Sequence, residues 1–500
     1  MAAILASAAA LRVPVIGWGL PPTIPHVLSS DLRCSYAFDE DDILTPISFG
    51  NPAQLDFDPR NYVWGTLHFH ILLAGLEAAE QLGLTGGPWR QAYYNLTPGA
   101  FDRVYVAGRS ISLLFGLLSI WLVYRLGCAI GCPQAGLWGA AVMAFSPAHL
   151  LASVQIRADL TMVCLLLLAA LVGLRVIRQP RYATLLLLGL VSGMACTAKY
   201  SAVLPAAGIV LAALAAAGFH PRNLLLVAAG AVAGGVLGEP YALVRWHEVT
   251  DQLAKVFLAN SQIPAALRPS IVVLLLTQFS YAARFAAGPA ASVASLAGFY
   301  ILVRRHAPSG RLIAAAAAGA IIVWVPLVWP MLRYQLPLLP FLALAAGIAI
   351  HQCPAPLRWA LGCAALLFPL AGSIDQFLMM RSEHPGNQAL TAILETVPAG
   401  SVISRLTVEM PPLDRKVYPK GPNPFLDDLR LSRPAYVVTS NLPDKEYPET
   451  NLQLLKGEYG ILGEFALRRR FPWATLGEAG SPHDWKYTHP RLVLYRRHTR

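Results

Sequence analysis

Charge is what this chain has least of. Asp, Glu, Lys and Arg make up 13% of its 500 residues, against about a quarter in an ordinary soluble protein, and that scarcity excludes a globular domain facing water on all sides. Cysteine is sparse as well: there are seven, mostly inside apolar runs, and none follows Cys363. The polar C-terminal part therefore has no disulfide framework. Cys128 and Cys132 have a near-metal spacing, but no second pair completes a zinc knuckle. No internal repeat or low-complexity tract stands out beyond the Ala and Leu richness of the apolar stretches.

What is present is hydrocarbon. The sequence is 55% hydrophobic with a mean hydropathy of +0.50, the composition of a polytopic membrane protein. Its excess of 39 Lys and Arg over 28 Asp and Glu points to cytoplasmic loops and lipid headgroups, not to nucleic acid. Residues 3–20 form a first apolar segment, interrupted by Arg12; a weak span and a signal peptide are both open readings. Further spans are expected at about 104–126, 134–151, 160–177, 183–198, 201–218, 223–241, 288–303, 312–331, 335–351 and 357–374. The fold class is thus an α-helical polytopic membrane protein of about eleven transmembrane helices. Placing the N-terminus inside puts Arg125, Arg175, Arg178, Arg181, Arg222, Arg304, Arg305, Arg311 and Arg358 on the cytoplasmic side. Residues 271–287 read as a half-inserted or surface helix interrupted before Gly288-Pro289, because a full crossing there would reverse Arg304 and Arg305.

That topology leaves a long outer loop, 30–103, with an amphipathic surface helix over 62–82, and an outer tail. Domain 1–374 is the membrane body; 375–500 reads as a small extracytoplasmic α/β domain, with helical patterns near 386–397 and 450–458 and strand-like runs at 401–403, 435–439 and 492–495. The unusual polar residues converge on the outer side. Asp39 and Glu40 open the first loop in a run of four acids, Arg157-Ala158-Asp159 marks one helix mouth, and Lys199 and Arg333-Tyr334 sit at hairpin tips. Ionisable groups at membrane depth tend to mark function. Cations there suit a phosphate, and a facing carboxylate suits proton removal from an attacking hydroxyl; a lipid-phosphate sugar donor supplies such a phosphate and a tail to lie between helices. Plainer roles stand beside these: Asp159 as a helix cap, Lys199 and Arg333 snorkelling to headgroups, Arg109 as a structural or headgroup-binding residue. His68 and His70, at i and i+2 on a helix, do not share a face for a metal. Trp64, Trp246, Trp324 and Trp329 suit an aromatic belt. A transporter or lipid flippase is the rival class, although it predicts paired repeats.

Gly17-Trp18-Gly19-Leu20-Pro21 followed by Asp39-Glu40 resembles the start of the protein O-mannosyltransferases and lipid A aminoarabinose transferases. Asn61 to Leu67, Arg109, Ser146-Pro147, Arg157-Ala158-Asp159, Thr197-Ala198-Lys199-Tyr200, Glu239-Pro240-Tyr241 and Arg333 to Pro340 agree in order, over about residues 10–374. The resemblance implies a membrane glycosyltransferase that moves a sugar, with inversion, from a polyprenyl-phosphate carrier to a hydroxyl acceptor: protein, lipid or surface glycan. It implies Asp39 as the base with Glu40 in support, Asp159 as a second acid orienting the acceptor or a metal, and Lys199, Arg333 with Tyr334, Arg109 and Arg60 near the donor phosphate. The enzyme is expected in a bacterial plasma membrane, its site extracytoplasmic. Phe38 departs from the pattern, where a proline commonly precedes the acidic pair, and Asp41 and Asp42 enlarge the cluster. No dedicated metal-ligand set is visible, although a carboxylate pair with a phosphate can recruit a divalent ion.

Overall fold

The chain's structure, a computed structural model, describes all residues except 21–34, 55, 96, 98, 262–268, 326–329, 406–412, 414–415, 425–426, 442–446, 478, 499 and 500. Pro21, Cys34 and Trp329 thus lie outside the described residues, as do residues 326–329 of the segment expected at 312–331.

Each apolar segment read from the sequence overlaps a helix. The N-terminal helix α1 is Ala2–Arg12; α2 (Asp41–Ser48), α3 (Leu67–Gln81) and α4 (Trp89–Tyr94) belong to the first loop; α5 (Ala100–Ala129) is the first long apolar helix. There follow α6 (Pro133–Ala144), α7 (Pro147–Ser153), α8 (Asp159–Arg178), α9 (Tyr182–Ala198), α10 (Val203–Ala217), α11 (Pro221–Gly238) and α12 (Trp246–Ser261). The second half holds α13 (Ile271–Tyr281), α14 (Pro289–Arg305), α15 (Ser309–Ile322), α16 (Leu339–Gln352) and α17 (Ala355–Arg381). Among the described residues, five helices can each cross a membrane by length and composition, two bent pairs pass the same test together, and four shorter apolar helices accompany them.

The first segment differs from expectation. Helix α1 stops at Arg12, because this guanidinium is drawn inward: it donates to Ala8 O (2.9 Å) and Ser153 Oγ (3.3 Å) and lies 3.0 Å from His149 Nδ1. Trp324, read as a belt residue, is instead fully buried and donates to Tyr334 O at 2.9 Å.

Local chemistry explains both bends. Ser146 caps α7 through its side chain and Pro147 occupies the first turn, a helix start that breaks the segment expected at 134–151 by 67°. Gly288, at φ +84°, with Pro289 behind it, bends α13 and its following turn against α14 by 114°, which agrees with the interruption read there. Helices α9 and α11 meet through Gly-x-x-x-Gly on both partners. A Cβ on Gly189 or Gly193 would sit 2.0 Å from Val227 O or 2.2 Å from Ala231 O, and one on Gly230 or Gly234 2.2 Å from Leu186 O or 2.1 Å from Leu190 O. Only glycine lets these backbones touch.

Beyond α17, which runs seven residues past the expected 374, come α18 (Pro385–Thr396), β1 (Ile403–Ser404), α19 (Leu429–Ser432), β2 (Tyr436–Ser440), α20 (Glu449–Glu458), β3 (Tyr459–Phe465) and β4 (Leu492–Arg497). The sheet order is β1-β2-β4-β3, with β1 parallel to β2 and β4 antiparallel to both β2 and β3. Alternation along β2 sends Tyr436 and Val438 to the cluster of Leu390 and Ile393, and Val437 to Leu454 and Leu455. The segment between β3 and β4 leaves this sheet and returns to the helices. Arg469 pairs with Asp375 at 2.7 Å, Arg284 donates to the carbonyls of Thr475, Gly477 and Ala479, and Trp485 packs on Phe285 in the main core.

Candidate active site

The acidic run does not act as one cluster. Phe38–Glu40 forms a 3₁₀ turn that leads straight into α2, and helical rotation points four consecutive carboxylates in different directions. Asp39 lies 3.1 Å from the Arg157 guanidinium and is hydrogen-bonded by Arg333 Nη1. Glu40 turns inward to Arg109. Asp41 accepts from the hydroxyls of Tyr105 and Tyr93. Asp42 is exposed, and its carbonyl accepts from Asn61 Nδ2 at 3.3 Å.

Three chain-distant elements complete the site. Asp159 opens α8, 3% exposed, and Lys199, where α9 ends, donates from Nζ to its carboxylate at 2.6 Å. Arg333 stands on a 3₁₀ turn, Leu332–Gln335. That turn is gripped from the tail: Asp484, 2% exposed, accepts from the backbone N–H of Leu332 (2.8 Å) and of Arg333 (3.0 Å). Tyr334 lies under Arg333, its ring centroid 5.8 Å from the guanidinium carbon.

Two acids thus face three cations, and Asp39 shows the balance. Burial opposes its charge, but Arg333, Arg157 and Lys199 outweigh burial and hold the carboxyl below its ordinary value. Asp42, exposed on one side, moves the other way, raised by partial desolvation and by Asp39 although Arg333 offsets part of it. Burial takes Asp41 up to about 8 despite the two tyrosine hydrogen bonds. Arg157 and Gln155, 4% and 1% exposed, leave Arg157 Nε and Gln155 Nε2 without hydrogen-bond partners. These donors line a small enclosed space with Arg333 and Asp484, walled by Ala148, Leu151, Leu332 and Leu336. Buried donors without partners beside two guanidinium groups give this corner the chemistry to hold an oxyanion oxygen, although Asp39, Asp159 and Asp484 balance the three cations in number.

Of the residues singled out from the sequence, Asp39, Asp159, Lys199, Arg333 and Tyr334 come together. Glu40 and Arg109 are corrected. Both are fully buried: Arg109 donates from Nε to Glu40 Oε1 (2.8 Å), from Nη2 to Oε2 (2.7 Å), and from Nη1 to the carbonyls of Ile16 (2.8 Å) and Trp18 (2.6 Å). Glu40 also accepts from Ile156 N (2.8 Å) and the Ser35 hydroxyl. With their donors and acceptors engaged, the two clamp the N-terminal segment to α5 and leave no atom for a phosphate or a substrate proton. Arg60 also stands apart, half-exposed and paired with Asp56 at 3.0 Å. His68 and His70 diverge as read: His68 Nδ1 is 3.0 Å from Thr161 Oγ1, while His70 faces Tyr241.

Arg157 was legible as part of a motif, without its role. Gln155 and Asp484 carried no signal. Both site carboxylates face guanidinium or ammonium groups, and among the described residues no group of three or more His, Cys, Asp or Glu side chains converges.

Residues 98–237 match the dolichyl-phosphate-mannose-protein mannosyltransferase family. No curated protein sequence matches the chain significantly. Among solved structures, ArnT from Cupriavidus metallidurans in the apo state shares the fold, with a TM-score of 0.51 at 14% identity, over 97% of this chain and 97% of that one. ArnT bound to undecaprenyl phosphate gives a TM-score of 0.47 at 12% identity, over 97% of each. The apo oligosaccharyltransferase of Archaeoglobus fulgidus gives 0.45 at 13% identity, over 88% of this chain and 69% of that one.

Proposed function

We propose that this chain, with a stretch of the dolichyl-phosphate-mannose-protein mannosyltransferase family inside an ArnT-like helical fold, is an integral membrane glycosyltransferase using a polyprenyl-phosphate sugar. The observation that carries the reading is one carboxylate, Asp39, facing a cationic corner of Arg157, Arg333 and Lys199.

The donor phosphate enters that corner and its oxygens accept from Arg157 and Arg333. In doing so it neutralises the cations that hold the Asp39 pKa down, so donor binding itself raises the proton affinity of the base. Asp39 then removes the proton of the acceptor hydroxyl as that oxygen attacks the sugar's anomeric carbon. The bond from this carbon to the phosphate oxygen breaks on the opposite face, which inverts the centre. The bonding electrons leave with the polyprenyl phosphate, whose new charge the arginines stabilise. Asp159 positions Lys199 by their ion pair.

The distribution of arginines among the short loops supports an extracytoplasmic site, in a bacterial plasma membrane. The acceptor is a hydroxyl of a protein, lipid or glycan. Against the transporter reading, the charged groups stand at helix ends and in turns, not on the unwound middle of a broken helix.

The test is reconstitution with radiolabelled polyprenyl-phosphate sugars, following label transfer and carrier release. Asp39→Asn is expected to lower turnover by about 10²–10⁴-fold, while Arg157→Gln raises the donor KM. Undiminished transfer by Asp39→Asn overturns the base assignment, and carrier movement across the bilayer without transfer overturns the enzyme reading.

A further inference from the structure

A second cationic site lies away from the acids, where the end of α17 meets the returning tail. There a cavity of about 410 Å³ is lined by Phe377, Leu378 and Arg381 from α17 and by Leu467, Arg468 and Arg470 from the tail. The run Arg468-Arg469-Arg470 alternates: Arg469 is buried against Asp375, while Arg468 and Arg470 are exposed on the other side. Asp375, also at this cavity, is occupied. It accepts from Arg469 Nε (2.7 Å) and from the backbone N–H of Arg470 (2.7 Å) and Phe471 (3.2 Å). Among the described residues no carboxylate pairs with Arg381, Arg468 or Arg470, and Arg381 rests over the Phe377 ring at 5.8 Å. Three guanidinium groups thus share one cavity whose lining carboxylate, Asp375, is already paired with Arg469.

The level of this cavity in the membrane follows from α17. The helix has 27 residues and is about 40 Å long at 1.5 Å per residue, against a hydrocarbon core of about 30 Å. Arg358 near its start and Arg381 at its end stand about 34 Å apart on the same scale, so each falls at an interface. The cavity is at headgroup depth, and its lining mixes the three arginines with Phe377, Leu378 and Leu467.

We propose that this cavity binds the phosphate of an anionic membrane lipid, its oxygens held by Arg381, Arg468 and Arg470 and the start of its acyl chain against the apolar lining residues. Guanidinium suits this better than ammonium because it presents paired donors to phosphate oxygens. The chemistry recognised is a phosphate oxyanion; the apolar lining residues assign it to a lipid headgroup over free phosphate. Binding there anchors the returning tail, and with it Asp484, to the membrane surface.

The test uses the full chain in nanodiscs of mixed phosphatidylglycerol and phosphatidylcholine, with retained lipid counted by native mass spectrometry. Wild type is expected to retain phosphatidylglycerol preferentially. Arg468→Gln with Arg470→Gln should lower that retention about tenfold or more at an unchanged unfolding midpoint, and the Lys pair should fall between. Arg381→Gln, on an exposed side chain, gives the same readout should the double variant not fold. Equal retention by wild type and variants overturns the site. Saturable stabilisation by millimolar inorganic phosphate, lost in the variants but with no phosphatidylglycerol preference, overturns the lipid assignment.

Discussion

Replacing Glu40 by Gln leaves the Arg109 guanidinium in full burial with two carbonyls and no counter-charge. Breaking one partner of a buried, hydrogen-bonded ion pair costs about 3–5 kcal/mol, a large share of the roughly 5–15 kcal/mol that holds a typical domain folded. Arg109→Gln strands Glu40 in the same way, although Ile156 N–H and Ser35 remain to it, so its loss belongs at the lower end of that range. The double variant removes both charges, and its loss should be smaller than the sum of the singles by about 2–3 kcal/mol. The assay is thermal unfolding of the purified protein in one detergent for wild type, both singles and the double, with donor KM measured on the folded fraction. The expected pattern is a lowered midpoint in each single, partial recovery in the double, and a donor KM within about twofold of wild type, since uniform binding is untouched. An Arg109→Gln protein that unfolds like wild type while its donor KM rises tenfold would refute the clamp and restore Arg109 to the phosphate.

Asp484→Ala removes two charge-assisted acceptors from the backbone of the Arg333 turn, each worth about 1.5–3 kcal/mol. The turn should loosen and raise the donor KM, Asp484→Asn should keep part of the effect, and equal KM values in all three proteins would detach the tail from the site. Asp41 has a folded pKa near 8, above its unfolded value, so the folded state binds the extra proton and wild-type stability declines as pH rises from about 4 to 8. Asp41→Asn should therefore gain in unfolding midpoint over wild type across that interval and level off above it; a constant difference at every pH would contradict the raised pKa.

The helical body was largely legible because membrane spans announce themselves by length and composition, and Gly288-Pro289 marked its break; the break at Ser146-Pro147, made by the same helix-start chemistry, was read through as one span over 134–151. Asp39, Asp159, Lys199 and Arg333 were legible for a related reason: ionisable groups are rare in such a chain, and those at helix ends share a face once the topology is set. Glu40 was not separated from them in sequence, and for Arg109 a structural reading stood beside phosphate binding. A buried structural ion pair and a substrate-binding pair use the same residue types at the same depth, and only their partners tell them apart. Asp484 was invisible because its role rests on a tail that leaves the sheet between β3 and β4 and returns to the membrane body, a path without hydrophobic periodicity. Strand β3 went unread because its Gly460 and Gly463 interrupt the alternation, and the pairing with β4 shifts register between Ile461 and Gly463.

The glycine contact between α9 and α11 has a thermal consequence. Side chains that interlock across a helix interface surrender rotamer freedom, about 0.5–1 kcal/mol for each Leu or Ile, and regain it on warming. A seam made of Gly189, Gly193, Gly230 and Gly234 against bare carbonyls has no rotamers to release. The C-terminal ends of α9 and α11, which run parallel and carry Lys199 and Glu239, are therefore spaced by backbone against backbone. Their separation should drift little with temperature, while regions joined by long side chains soften around them.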